Sequence, residues 1–208
     1  MNRTENKAKN RIMGILFDFD GTLTYPGALD FPSIKRELNC PEEMPILEYL
    51  ETQNPARRST LLKILESREE QAAEASSPNT GAEKCLSILK QKSLLLGIIT
   101  RNNLKSVCLA LKRFNDITID DFAVVITRED SLPKPHPDGV YQAARRMGIA
   151  TSALMVVGDF RFDVLAGRAA GAVTVLLTNG GRSAMAPGDP EPDYTVDCLE
   201  DIFKLNMI

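Results

Sequence analysis

Residues 15–24 read ILFDFDGTLT. An apolar run stops there in two aspartates, Asp18 and Asp20, that flank one phenylalanine and are followed by Gly-Thr. Two carboxylates at the end of a buried strand repel each other and resist desolvation, so something nearby must compensate them. Side chains two apart on extended backbone share a side, and both aspartates therefore face the same space. Gly21 lets the chain turn sharply away behind them.

The run at 12–17 has counterparts. Short apolar stretches rich in β-branched residues recur at 94–99, 122–126, 154–157 and 173–177, and 194–196 predicts a short edge strand. Between them, amphipathic patterns predict helices over 82–92, 104–114, 137–147 and 162–170. Continuous apolar strands alternating with helices indicate an α/β fold, a doubly wound parallel sheet covered on both faces.

Residues 27–78 break the alternation: they hold no strand-like run. Pro45 opens a helical pattern at ILEYLE, and Asn54-Pro55 supplies an N-cap and a first-turn proline for a long helix. Thr80 with Glu83 predicts a capping box for the helix after it. Turn-rich flanks, Tyr25-Pro26-Gly27 and Ser76-Ser77-Pro78-Asn79, have the composition of hinges. The expected organisation is a core domain of residues 11–26 and 79–208, an inserted helical cap over 27–78, and a frayed tail at 1–10.

The 208 residues suffice for a substantial core, and 43% hydrophobic with 25% charged residues is ordinary for a globular chain. A net charge of −3 argues against nucleic-acid and anionic-membrane partners. No apolar stretch approaches the roughly 20 residues that span a bilayer, and the polar start MNRTENKAKNR does not read as a signal peptide. Cys40, Cys85, Cys108 and Cys198 are scattered without a CxxC pair, so free thiols and a cytoplasmic location are expected.

Ligands of open α/β sheets sit outside the carboxyl ends of the strands. Collected at those ends are Asp18 and Asp20, Thr100 in IITRN, Asp159 and Asp163 in GDFRFD, and Lys134 in KPHP. Carboxylates, a hydroxyl and an ammonium group on one edge suit Mg2+, which prefers oxygen ligands, together with a phosphoryl group.

The set DFDGT, IITRN, Lys134 in KPHP and GDFRFD resembles the four ordered motifs of the haloacid dehalogenase superfamily, over essentially the whole chain. The helical insert between the first two motifs looks like the cap of the phosphoglycolate phosphatase-like enzymes of subfamily I. The resemblance implies a magnesium-dependent phosphatase acting on a small phosphorylated metabolite. Asp18 would be the nucleophile that forms an aspartyl-phosphate, and Asp20 the acid and base that also lends the metal its main-chain carbonyl. Asp159 would ligate the metal directly, with Asp163 close behind. Thr100 would donate to a phosphoryl oxygen, helped by the backbone amide of Arg101 or Asn102, while Lys134 offsets developing charge. The pair in DFD is then tolerable: a dication neutralises one member and a proton the other.

A sugar phosphomutase uses the same core and stands as the alternative, beside a non-catalytic protein that binds phosphate ligands. His136 is expected to cap the helix behind it or face solvent, and Arg101, Arg128, Arg161 and Arg182 to lie exposed near the site edge. SREEQ, residues 67–71, reads as a solvated helix face.

Overall fold

All four residues of β1 (Gly14–Phe17) are buried, as a continuous apolar run in a layer covered on both sides requires. The computed structural model describes residues 11–205, so the expected tail at 1–10 lies outside the described residues. β1 forms one six-stranded parallel sheet with β2 (Leu95–Ile99), β3 (Val124–Ile126), β4 (Leu154–Gly158), β5 (Val173–Leu177) and β6 (Tyr194–Val196). The order is β3-β2-β1-β4-β5-β6, which places β1 centrally and makes its end the switch point.

Strand alternation divides β1 between two cores. Ile15 and Phe17 pack with Leu86 and Leu89 of α4 (Ala82–Gln91) and Val107 of α5 (Leu104–Leu111). Leu16 faces the other way, against Val140 and Ala143 of α6 (Asp138–Met147) and Ala166 of α7 (Arg161–Ala170). The doubly wound α/β architecture is therefore present, with β1, β2 and β3 a residue or two shorter than their apolar runs, β5 and β6 matching theirs and β4 one residue longer.

Three helices fill the strandless segment: α1 (Phe31–Leu38), α2 (Ile46–Glu51) and α3 (Pro55–Ala75). They share a hydrophobic cluster of their own, built on Ile34, Leu38, Tyr49, Leu50, Leu61 and Leu65. Asn54 caps α3 through the Arg57 amide at 3.0 Å, as its position predicts. The segment leaves and re-enters the core at one place, since the Tyr25 amide donates to the Ser77 carbonyl at 2.8 Å and Thr24 bridges Pro78.

One expected cap is absent. Gly81, at φ 76°, takes the N-cap position of α4, and Thr80 instead donates its amide to Asn79 Oδ1. Glu83 accepts from the Asn115 amide at 2.6 Å, so the Thr80–Glu83 box does not form. All four cysteines are free thiols.

Candidate active site

Register brings the motif residues together. Phe17 lies opposite Ile98 on one side and Val157 on the other, and the Asp18 amide donates to the Val157 carbonyl at 2.8 Å. Asp18 is therefore level with Ile99 and Gly158, and Thr100 and Asp159 follow one residue further on, where the neighbouring strands end. Asp18, Asp159 and Asp163 each offer a carboxylate oxygen within 4.8 Å of the others.

Lys134, only 4% exposed, reaches into this group from the loop behind β3. Its Nζ donates to Asp18 Oδ1 at 2.6 Å, Asp163 Oδ1 at 2.5 Å and the Ile99 carbonyl at 2.8 Å. Burial alone would lower its pKa, but Asp163 and Asp18 outweigh that and push it up to about 12. Asp163 is engaged at both oxygens, because its Oδ2 accepts from the Phe160 amide at 3.2 Å and closes the first turn of α7. Asp159 Oδ1 accepts from the Thr22 hydroxyl at 3.2 Å. Burial first, then the Asp18 and Asp163 charges, pushes the Asp159 carboxyl far above the carboxylate range.

The buried Asp18 and Asp163 and the half-buried Asp159 thus crowd around one ammonium group, which cannot compensate all three, and a divalent ion would relieve the crowding. All the donors are hard oxygens, the set that Mg2+ prefers. The residues fit such an ion, with Asp18 and Asp159 as the more available ligands and Asp163 bound to Lys134.

The turn at Phe19–Leu23 carries Asp20 to the same side. Gly21 there has φ 83°, and a Cβ on it would sit 2.4 Å from Asp159 Oδ2, so glycine is required twice over. Gly158 is needed for close approach as well, because a Cβ would lie 2.1 Å from Asp163 Cγ. Asp20 Oδ2 accepts from Asn102 Nδ2 at 3.2 Å. Burial and the neighbouring Asp18 charge raise its pKa to about 7, with the Asn102 hydrogen bond opposing. Thr100 Oγ1 accepts from the Asn102 amide at 3.0 Å, which leaves the hydroxyl proton to donate. Asp18, Asp20, Thr100, Asn102, Lys134, Asp159 and Asp163 all meet at this edge.

The arginines correct the expectation of exposure. Arg101 forks onto Glu48 of α2, with Nη1–Oε1 2.9 Å and Nη2–Oε2 2.5 Å, bonds to the Lys134 carbonyl, and lies over the Phe162 ring. Arg128 has a side chain only 9% exposed and pairs with Glu69 at 2.5 Å. Arg161 is half-buried against Asp189, and Arg182 alone is exposed. His136 Nδ1 accepts from the Asp138 amide at 3.2 Å, the capping expected of it.

The solvated face expected of SREEQ holds at Ser67, Arg68 and Gln71 but fails at Glu69, which is 6% exposed. The reason is position: Leu61, Leu65, Glu69 and Ala73 are the buried residues of α3, at four-residue spacing, so Glu69 sits on the apolar stripe. Arg128 and Asn103 satisfy it there. Two asparagines outside the four motifs also serve the site. Asn79 Nδ2 donates to the Thr22 carbonyl at 2.8 Å, and Asn179 Nδ2 to the Gly21 carbonyl at 2.9 Å, pinning the turn that carries Asp20.

A haloacid dehalogenase-like hydrolase domain-containing protein of Arabidopsis thaliana is 31% identical over 221 residues, covering 98% of this chain and 87% of that protein. A phosphoglycolate phosphatase of Haemophilus influenzae is 29% identical over 217 residues, 91% of this chain and 96% of its own. Among solved structures, a hydrolase from Pseudomonas syringae shares the fold with a TM-score of 0.74 at 22% identity, over 93% of this chain and 97% of that one. The profile of the haloacid dehalogenase-like hydrolases matches residues 15–177, from β1 through β5 and every motif residue between them, and the chain belongs to that family.

Proposed function

We propose that the protein is a magnesium-dependent phosphatase that hydrolyses a small phosphomonoester through an aspartyl-phosphate on Asp18. The observation that carries this is the meeting of Asp18, Asp159 and Asp163 around Lys134, with Asp20 alongside at a pKa near 7. A carboxyl group poised near neutrality can give a proton and take it back.

Lys134 holds Asp18 by Oδ1 and aims the carboxylate. An Asp18 oxygen bonds to phosphorus as the bond to the alcohol oxygen breaks, and Asp20 delivers its proton to that oxygen. Asp20 then takes a proton from water, whose oxygen attacks the same phosphorus and releases inorganic phosphate and free Asp18. The Thr100 hydroxyl and the amides of Arg101 and Asn102 hold phosphoryl oxygens, and Lys134 offsets charge that builds there. Asp18, Asp159 and the Asp20 main-chain carbonyl would hold magnesium, which supplies charge neutralisation for the carboxylates and the phosphoryl group. Asp163 orients Lys134 and stands behind the metal.

Residues 27–78 act as the cap over residues 11–26 and 79–208. Glu48 and Glu69 reach from it to the loops carrying Arg101 and Arg128, which suits a substrate small enough to be enclosed. Phosphoglycolate, named for the Haemophilus relative, is the first ester to assay. Free thiols and small soluble substrates support a cytoplasmic setting.

The test is turnover of p-nitrophenyl phosphate and a panel of metabolite phosphates, with magnesium and then with EDTA. Phosphate release that requires magnesium, and inhibition by beryllium fluoride that requires it too, are expected. Pure folded protein that releases no phosphate from any of these esters overturns the assignment.

A further inference from the structure

Glu69 lies in the middle of α3, outside the motif residues, yet both of its oxygens are occupied. Oε1 accepts from Arg128 Nη1 at 2.5 Å and Oε2 from Asn103 Nδ2 at 2.9 Å. Each partner holds the backbone at 101–103. The Arg128 amide donates to the Asn102 carbonyl at 3.2 Å, and Arg128 Nη1 reaches the Arg101 carbonyl at 3.4 Å. Asn103 Oδ1 caps α5 through the Ser106 amide at 2.8 Å, and Asn102 in turn touches Asp20.

We propose that Glu69 is a positioning residue: through Arg128 and Asn103 it fixes the loop at 100–103 that receives the phosphoryl group. The phosphatase assignment enters only in the statement of what that loop binds.

Anchoring of α3 to the core is a weaker account of the same contacts. A buried charge pair is poor glue, because desolvating both ions offsets most of their attraction. The exposed Lys105–Glu70 pair already joins the same two helices. Charge-assisted hydrogen bonds from the two Glu69 oxygens specify geometry, and here they orient the Arg128 side chain toward the Arg101 carbonyl and hold the Asn103 side chain.

Glu69→Gln keeps the size of the side chain but cannot accept at both ends. Loss of a hydrogen bond to a charged group corresponds to about a 10- to 100-fold effect. The expected result is a kcat on p-nitrophenyl phosphate lower by that factor, with KM within about threefold and vanadate inhibition weakened about tenfold. Backbone amides at 100–103 should exchange about tenfold faster in deuterium-exchange mass spectrometry. The double variant Glu69→Met, Arg128→Met removes the stranded charge and should recover the melting temperature while the loop stays unheld and turnover stays low.

Unchanged kcat and vanadate inhibition with a raised KM would mean anchoring alone and would overturn the proposal. So would recovery of turnover in the double variant, or unchanged exchange at 100–103. If the wild-type protein itself turns over no ester, the phosphatase assignment fails, and the exchange measurement still decides whether Glu69 holds the loop.

Discussion

Gly21→Ala separates backbone strain from damage to the carboxylate cluster. At φ 83° an alanine is held in the left-handed region, which costs about 1–2 kcal/mol. Its Cβ would stand 2.4 Å from Asp159 Oδ2 and 2.9 Å from Cγ, where ordinary contact begins near 3.4 Å. The carboxylate must therefore retreat by about 1 Å, and its hydrogen bond from Thr22 is lost, adding about 1 kcal/mol. The sum of about 2–3 kcal/mol lowers the melting temperature of a chain this size by roughly 5–10 °C and leaves it folded. Function should suffer more, because about 1 Å of misplacement in a catalytic group costs on the order of 100-fold. Gly148→Ala is the control: its φ is 70° and nothing lies within 4 Å of the added Cβ, so it carries the strain without the clash. Thermal melts and magnesium titrations of turnover on both variants are expected to show similar backbone costs and a loss of activity and metal response in Gly21→Ala alone. Equal activity in the two variants would show that Asp159 moves aside freely, and the assignment of Asp159 as a metal ligand would fall.

Asp18→Asn should abolish turnover and leave the melting curve close to wild type, since the amide is isosteric; a variant with near wild-type rate excludes Asp18 as nucleophile. Lys134→Met strands Asp18 and Asp163 without their counter-ion, a loss of about 3–5 kcal/mol in metal-free protein, and magnesium should restore part of it. Calorimetry that finds no such deficit would mean those carboxyls are protonated in the fold. The pH dependence has a definite sign. Asp20 moves from 3.8 to about 7, so the folded state holds the proton longer, and this group's stabilisation is complete below pH 3.8 and lost as pH rises through 7. The gain in melting temperature on adding magnesium should accordingly grow between about pH 5.5 and pH 8; a gain that is flat with pH contradicts the charge crowding described for the cluster.

Much of the site was legible in the sequence because a parallel sheet sorts its residues so strictly. A strand buried on both faces must be apolar throughout, so polar residues gather where it stops, and Asp18, Thr100 and Asp159 each mark such an end. Lys134 was recognisable only through its company of prolines and its order among the motifs. That it contacts Asp163 as well as Asp18 depends on the loop's path, which no local pattern records. The Thr80–Glu83 pair failed for a related reason. Its spacing was right, but Asn79 and Asn115 offered the same groups better-placed partners.

Glu69 shows where local pattern stops carrying information. Leu61, Leu65 and Ala73 define a four-residue stripe on α3, and a carboxylate on that stripe cannot be left buried alone. Once α3 is known to bury that stripe, Glu69 must have a partner. The sequence cannot name the partner, because Arg128 is 59 residues away, behind a strand of the core. The same holds for Glu48 with Arg101 across 53 residues and for Asn179 with Gly21 across 158. Charge demand is local and its satisfaction is not. A buried ionisable residue on an otherwise apolar helix stripe is accordingly the sign to seek in this chain: it marks where the residues between 27 and 78 must touch the loops that carry the chemistry.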